Sequence, residues 1–127
     1  MDLSVVIPLY NESESIEELN KWIFNTLNSE SISFEIIYID DGSSDQSWGI
    51  IKSLSNRFNN VRGLSFSKNF GKSQALNAGF KECKGNFIAT LDADLQDSPE
   101  EIPEMINKLK KENLDLISGW KKKRYDS

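Results

Sequence analysis

At 127 residues the chain suits one domain built around one core. Hydrophobic residues at 38% and charged residues at 28% exclude a disordered or membrane-embedded chain, and 20 acidic against 15 basic side chains, net charge −5, exclude nucleic-acid binding by bulk electrostatics. The single cysteine, Cys83, excludes an intrachain disulfide, and the absence of histidine excludes Ser-His and Cys-His catalysis and histidine-ligated zinc within this chain.

The first element is the apolar run "LSVVIPL", Leu3–Leu9, which reads as a buried strand breaking into a loop at Pro8. This opening run is far too short for a signal peptide or a membrane span. Ile16, Leu19, Ile23 and Leu27 recur at helical spacing, with Asn11 and Glu14 placed as an N-terminal capping pair. "FEIIYID", Phe34–Asp40, is β-branched and aromatic and stops at the turn-rich "DDGSSD". Trp48, Ile51, Leu54 and Phe58 form a second helical stripe, and "VRGLSF" at 61–66 a third strand. A loop at "KNFGK" then turns into a small-residue helix with Ala75, Leu76, Ala78, Gly79 and Phe80; Cys83 is expected to pack near its end. The fourth strand is expected at 86–92. Pro99 in a first helical turn and the apolar positions Ile102, Met105, Ile106 and Leu109 mark a fourth helix, and "LDLISG" a fifth strand.

Strands alternating with helices, each strand almost continuously apolar, predict an α/β open sheet, mostly parallel and covered by helices on both faces. Ligands bind such sheets at the carboxyl ends of the strands, where strand order reverses. Acidic residues gather at those ends. Asp92 and Asp94 flank Ala93 behind the fourth strand, and residues two apart in an extended backbone point the same way. Two converging carboxylates either share a proton or hold a hard divalent cation such as Mg²⁺ or Mn²⁺, with the amide oxygen of Gln96 able to join them. The plainer alternative is a solvated acidic turn opening a helix, a role that suits Asp97 and Glu100.

Asp40 and Asp41 face opposite sides of their strand, so one is expected to meet a ligand, Asp40 accepting from a ribose hydroxyl or base N–H, while the other holds the turn. Tyr10 and Glu12 in "PLYNE" offer a ring and a carboxylate to flank a nucleobase. Asn69, Gly71 and Lys72, with Lys68, put positive charge and pliable backbone at a helix start, which suits a phosphate although the P-loop pattern is absent. "KKKR" at 121–124 is a solvated face, or meets pyrophosphate or an anionic membrane surface.

Taken together, "VVIPLYNE" (5–12), "IIYIDDGSSD" (36–45), "FSKNFGKSQALNAGF" (66–80), "LDADLQDSPEEIPEMI" (91–106) and "DLISGWKKKR" (115–124) resemble the nucleotide-sugar-binding half of a family 2 glycosyltransferase with the GT-A fold. They cover nearly the whole chain in the expected order. "NFGK" followed by "DADLQD" is most similar to the polyprenyl-phosphate branch, the dolichol-phosphate mannosyltransferase-like enzymes. The resemblance implies Pro8, Tyr10 and Glu12 around the base, Tyr38 beside the nucleotide and Asp40 on the base or ribose side. It implies Asn69 and Lys72 at the phosphates. Asp92, Ala93 and Asp94 would meet the ribose and the metal-bound diphosphate, with Gln96 near the same Mg²⁺ or Mn²⁺ ion. Lys121 stands where that branch has arginine, which makes phosphate recognition there less bidentate.

The implied activity is inverting transfer of a sugar from a nucleoside diphosphate to a polyprenyl phosphate or, in other family members, to a saccharide hydroxyl. A phosphate nucleophile is already ionised and needs no general base. The whole of 1–127 is expected to be the nucleotide-sugar half, cytoplasmic and working at the inner face of a membrane in the full-length protein. The acceptor-binding part is expected to be absent, and the chain to be inactive alone. Two rivals remain: a non-catalytic nucleotide-binding module, and a phosphoacceptor receiver domain, whose acids would follow the first and third strands instead of the second and fourth.

Overall fold

The computed structural model describes residues 1–95 and 99–112. Among them strands and helices alternate: β1 (Leu3–Leu9), α1 (Ile16–Ser29), β2 (Phe34–Asp40), α2 (Ser47–Arg57), β3 (Val61–Ser65), α3 (Lys72–Glu82), β4 (Phe87–Thr90) and α4 (Glu101–Glu112). The strands form one parallel sheet in the order β3-β2-β1-β4. The expected fifth strand, "LDLISG", lies outside the described residues, as do Gln96, Asp97, Lys121 and the "KKKR" run.

β1 is central, and all seven of its residues are buried, which is why its sequence lacks the alternation of a half-exposed strand. Odd positions of β1 face one core layer and the even position Val6 the other. The first layer takes Ile16, Leu19, Ile23 and Leu27 from α1, Ile51 and Leu54 from α2, and Ile102 and Ile106 from α4. The second layer is thinner, with Ala75 and Leu76 of α3 packed on Val6, Ile37, Ile39 and Ile88. Its thinness explains the small residues of α3: a Cβ at Gly79 would stand 2.6 Å from Val6 Cγ1 and 2.7 Å from Ile39 Cδ1. Only glycine lets this helix lie so close to the sheet.

Three expectations are corrected locally. Asn11 and Glu14 do not cap α1, which begins at Ile16 with Ser15 at its N-cap; Asn11 has φ 53° and serves another loop. β4 stops at Thr90: Leu91 N still donates to Val6 O at 3.1 Å, but residues 93–94 turn away from the sheet. Pro99 precedes α4, its carbonyl accepting from Ile102 N, and Pro103 is the proline inside the first turn. Cys83 ends α3, half-buried, and burial pushes its thiol above the ordinary value, which keeps it a packing residue.

At the amino-terminal edge of the sheet a carboxylate, Glu35, is buried. Ser4 Oγ donates to it at 2.6 Å, Lys84 N at 2.7 Å and the Arg62 guanidinium at 2.7 Å. Burial alone would raise this carboxyl, but the Ser4, Lys84 and Arg62 donors outweigh it and hold Glu35 below its ordinary range. Its ionised form therefore favours the folded state. That contribution is complete above the unfolded value of about 4.3 and is lost as pH falls through the lower folded value. Glu35→Ala, which leaves the Ser4 hydroxyl and the Lys84 amide without their acceptor while Arg62 keeps Glu82, is expected to cost about 1–3 kcal/mol in urea unfolding at neutral pH. The acid-side slope of its stability profile should also be shallower than that of the wild type; an unchanged slope would show that Glu35 is not the linked group.

Candidate functional site

Chain order runs β1 to β2 to β3 in one direction and then returns past β1 to β4, so strand order reverses between β1 and β4. A cavity of about 410 Å³ opens at the carboxyl end of that switch point. Pro8, Leu9, Tyr10 and Glu12 form the β1 wall, and Asp92, Ala93 and Asp94 the β4 wall. Asp41, Asn69, Gly71 and Lys72 close the side nearest α3. Of the residues singled out from sequence, Pro8, Tyr10, Glu12, Asn69, Lys72, Asp92, Ala93 and Asp94 all border this one space.

Tyr38 and Asp40 do not border it. Tyr38 is fully buried in the layer beneath α1, donating its hydroxyl to Asn20 Oδ1 at 2.7 Å, and burial pushes its phenol up. Asp40 is buried too, and its Oδ1 accepts from Ser43 N at 3.1 Å. The two neighbouring acids thus have the opposite division of labour from the one expected: Asp40 holds the turn and Asp41 reaches the cavity. Parity explains it, since Asp40 shares a face with Ile36 and Tyr38 whereas Asp41 continues the Ile37 and Ile39 face, over which α3 lies.

Asp41 also organises the loop before α3. Its Oδ1 accepts from Phe70 N at 2.7 Å, and its Oδ2 from Gly71 N at 3.0 Å and Asn69 Nδ2 at 3.2 Å. Gly42, at φ 76°, lets this loop settle directly on the strand end, because a Cβ there would run into the backbone of Lys68 and Asn69. The loop in turn sets Lys72 at the first position of α3, where its Nζ pairs with Asp92 Oδ1 at 2.8 Å. Both partners of that pair are about half exposed, so it contributes little to stability.

The β1–α1 loop is laced to the β2–α2 loop by polar groups. Asn11 Oδ1 accepts from Ser44 N at 2.8 Å and Asp45 N at 3.3 Å, and Asn11 N donates to Ser43 Oγ at 2.8 Å. Glu12 N donates to Ser47 Oγ at 3.0 Å and Ser13 N to Asp45 Oδ2 at 3.2 Å. Slight burial raises the Asp45 carboxyl, but donors from Ser47 and Ser13 outweigh it and hold it below its ordinary value. This lacing is what displays Tyr10, 47% exposed, and Glu12 along the cavity.

Asp92 and Asp94 reach the cavity across a turn, not as same-face positions of a continuing strand. Among the described residues no cluster of three or more acids, cysteines or histidines could enclose a metal. Two hard carboxylates bordering the cavity fit a divalent cation that completes its shell with water and a ligand's diphosphate oxygens, the manner in which Mg²⁺ is usually held. No described helix is long and apolar enough to cross a membrane.

The family model "Glycosyl transferase family 2" matches residues 4–127. The chain is 40% identical over 126 residues to an undecaprenyl-phosphate 4-deoxy-4-formamido-L-arabinose transferase of Salmonella choleraesuis, covering 98% of this chain and 38% of the relative. It is 35% identical over 127 residues to a dodecaprenyl-phosphate galacturonate synthase of Rhizobium johnstonii, covering 99% and 38%. The chain therefore spans a little over a third of the length of these curated relatives. Among solved structures, S. aureus TarS 1-349 in complex with UDP-GlcNAc superposes with a TM-score of 0.69 at 25% identity, covering 87% of this chain and 32% of that one. The mannosyltransferase PcManGT from Pyrobaculum calidifontis, in complex with GDP-Man and Mn2+, gives 0.73 at 22% identity, covering 84% and 32%, and shares the GT-A fold.

Asp41→Ala is expected to release three donors at once and to cost about 2–4 kcal/mol, since hydrogen bonds to a charged group are worth about 1.5–3 kcal/mol. Hydrogen exchange should rise most at the Phe70 and Gly71 amides. Unchanged exchange there would refute the clamp.

Proposed function

The chain belongs to glycosyl transferase family 2, and from that premise we propose that its cavity binds a nucleoside-diphosphate sugar whose glycosyl group the whole protein transfers, with inversion, to a polyprenyl phosphate. The observation that carries the reading is the convergence of Asp92 and Asp94 with Tyr10, Glu12, Asp41 and Lys72 on one cavity at the switch point. The acceptor is supported by the relatives, two differently named sugar transferases that both carry a polyprenyl phosphate in their names.

Each wall has a distinct task in this reading. Pro8 and the half-exposed Tyr10 give the base an apolar edge and a ring to lie against. Asp41 accepts a base N–H on the α3 side, the part first expected of Asp40, and its three loop donors keep the carboxylate from turning away. Glu12 accepts from a hydroxyl of the ribose or sugar. Lys72 sits at the helix start, where ammonium and backbone N–H groups together favour phosphate, and its hold on Asp92 keeps it aimed at the cavity.

Asp92 and Asp94 would hold a divalent cation, Mg²⁺ or Mn²⁺, against the diphosphate, and such an ion when bound neutralises the charge that develops on the leaving nucleoside diphosphate. The protein's own contribution is to present the diphosphate in a fixed direction, so that the opposite face of the anomeric carbon is open to an acceptor oxygen. An acceptor phosphate is ionised at neutral pH, so this reading asks no residue of the chain to act as general base.

Calorimetric titration of the chain with UDP, GDP and CDP, with and without Mn²⁺, tests the proposal. One nucleotide should bind in a Mn²⁺-dependent manner, and Asp94→Ala should weaken that binding at least about 10-fold, equivalent to about 1.4 kcal/mol. Failure of every nucleotide to bind would sink the reading.

A further inference from the structure

Ser15 occupies the N-cap of α1 and makes no side-chain cap bond to its helix. A serine there ordinarily accepts from the first-turn amides, and α1 forgoes that contribution. The residue is 9% exposed, and its hydroxyl is directed away from the first-turn amides. Ser15 Oγ lies 2.5 Å from the carbonyl oxygen of Ala93, 78 residues further along, and at the longer distances of 3.1 Å from Glu12 Oε2 and 3.2 Å from Glu12 O. A hydroxyl has one hydrogen, and the shorter separation gives it to Ala93. In that arrangement Glu12 Oε2 receives no hydrogen from Ser15, and Glu12 borders the cavity.

The turn that receives this bond needs an external hold. β4 has ended at Thr90, so residues 92–95 lack the sheet's ladder. Leu95 adopts φ 67°, a left-handed conformation that is unfavourable for a side chain of its kind and persists only where the surroundings over-determine it. Ala93 is buried, and its carbonyl belongs to the peptide that joins it to Asp94, with Asp92 on its other side.

We propose that Ser15 is a positioning residue for the acid pair. Its hydroxyl fixes the Ala93 carbonyl, and through it the directions in which Asp92 and Asp94 leave the turn. The inference rests on the reading that Asp92 and Asp94 engage a nucleotide together with a divalent cation. Ser15 itself touches no ligand; it explains why a helix start with a good capping residue leaves that cap unused.

Two readouts on the same chain test it, using Ser15→Ala and the hydroxyl-retaining Ser15→Thr. Without any ligand, Ser15→Ala should raise hydrogen exchange of the amides at 93–95 by about 10-fold, and Ser15→Thr should not. With the nucleotide that binds the wild type, Ser15→Ala should cut the Mn²⁺-dependent gain in affinity about 10-fold and leave the metal-free affinity within about 2-fold, whereas Ser15→Thr keeps the gain. Unchanged exchange in Ser15→Ala overturns the proposal. So does raised exchange with an intact Mn²⁺ gain, which would make the bond merely structural, and so does a threonine variant that behaves like alanine. If the wild type binds no nucleotide, the transferase reading fails instead, and the exchange measurement still decides whether Ser15 holds the turn.

Discussion

The crossover from β3 through α3 to β4 is the constraint on which the rest of the molecule depends. A parallel connection is right-handed, so the first two crossovers, moving outward from β1, lay α1 and α2 on one face. The third moves back across β1 and must therefore lay α3 on the other. That reversal opens the sheet's carboxyl edge beside β1, and it carries the start of α3 and its lysine to the same edge. The position of the cavity follows from handedness and strand order before any functional side chain is considered.

The same reversal explains what could be seen from the sequence. Apolar runs and helical stripes located the eight described elements, β1 and β2 to the residue, because buried parallel strands and amphipathic helices are both written in one-dimensional periodicity. The acids at strand ends were equally plain. Asp40 was expected toward the ligand and Asp41 borders the cavity instead, since parity separates two neighbours without saying which face α3 will cover. Asn11 was misread as a cap for a related reason: its partners, Ser44 and Asp45, are more than thirty residues away and leave no local signature. The turn at 92–95 likewise depends on a bond to Ser15 that spacing cannot express.

The two edges of the sheet are built by different physics. At the amino-terminal edge Glu35, Arg62 and Ser4 satisfy one another within a closed network. At the carboxyl edge the loops are also laced, by Asn11, Asp41, Asp45 and Ser47, and there they border an open cavity. A buried network that is complete contributes stability; one whose members border an open space contributes a surface of fixed shape and polarity.

The β1–β4 pairing joins residues more than eighty positions apart, and the Ser15–Ala93 contact bridges nearly as many. Contacts of such separation carry the largest loop-closure entropy cost in the sheet. The two walls of the cavity are joined only where β4 pairs with β1, and a chain with β1, β2 and β3 paired but not β4 has no place for a ligand. Anything that fits the cavity recognises the completed fold alone, so by mass action it draws the population of half-assembled chains toward the native state.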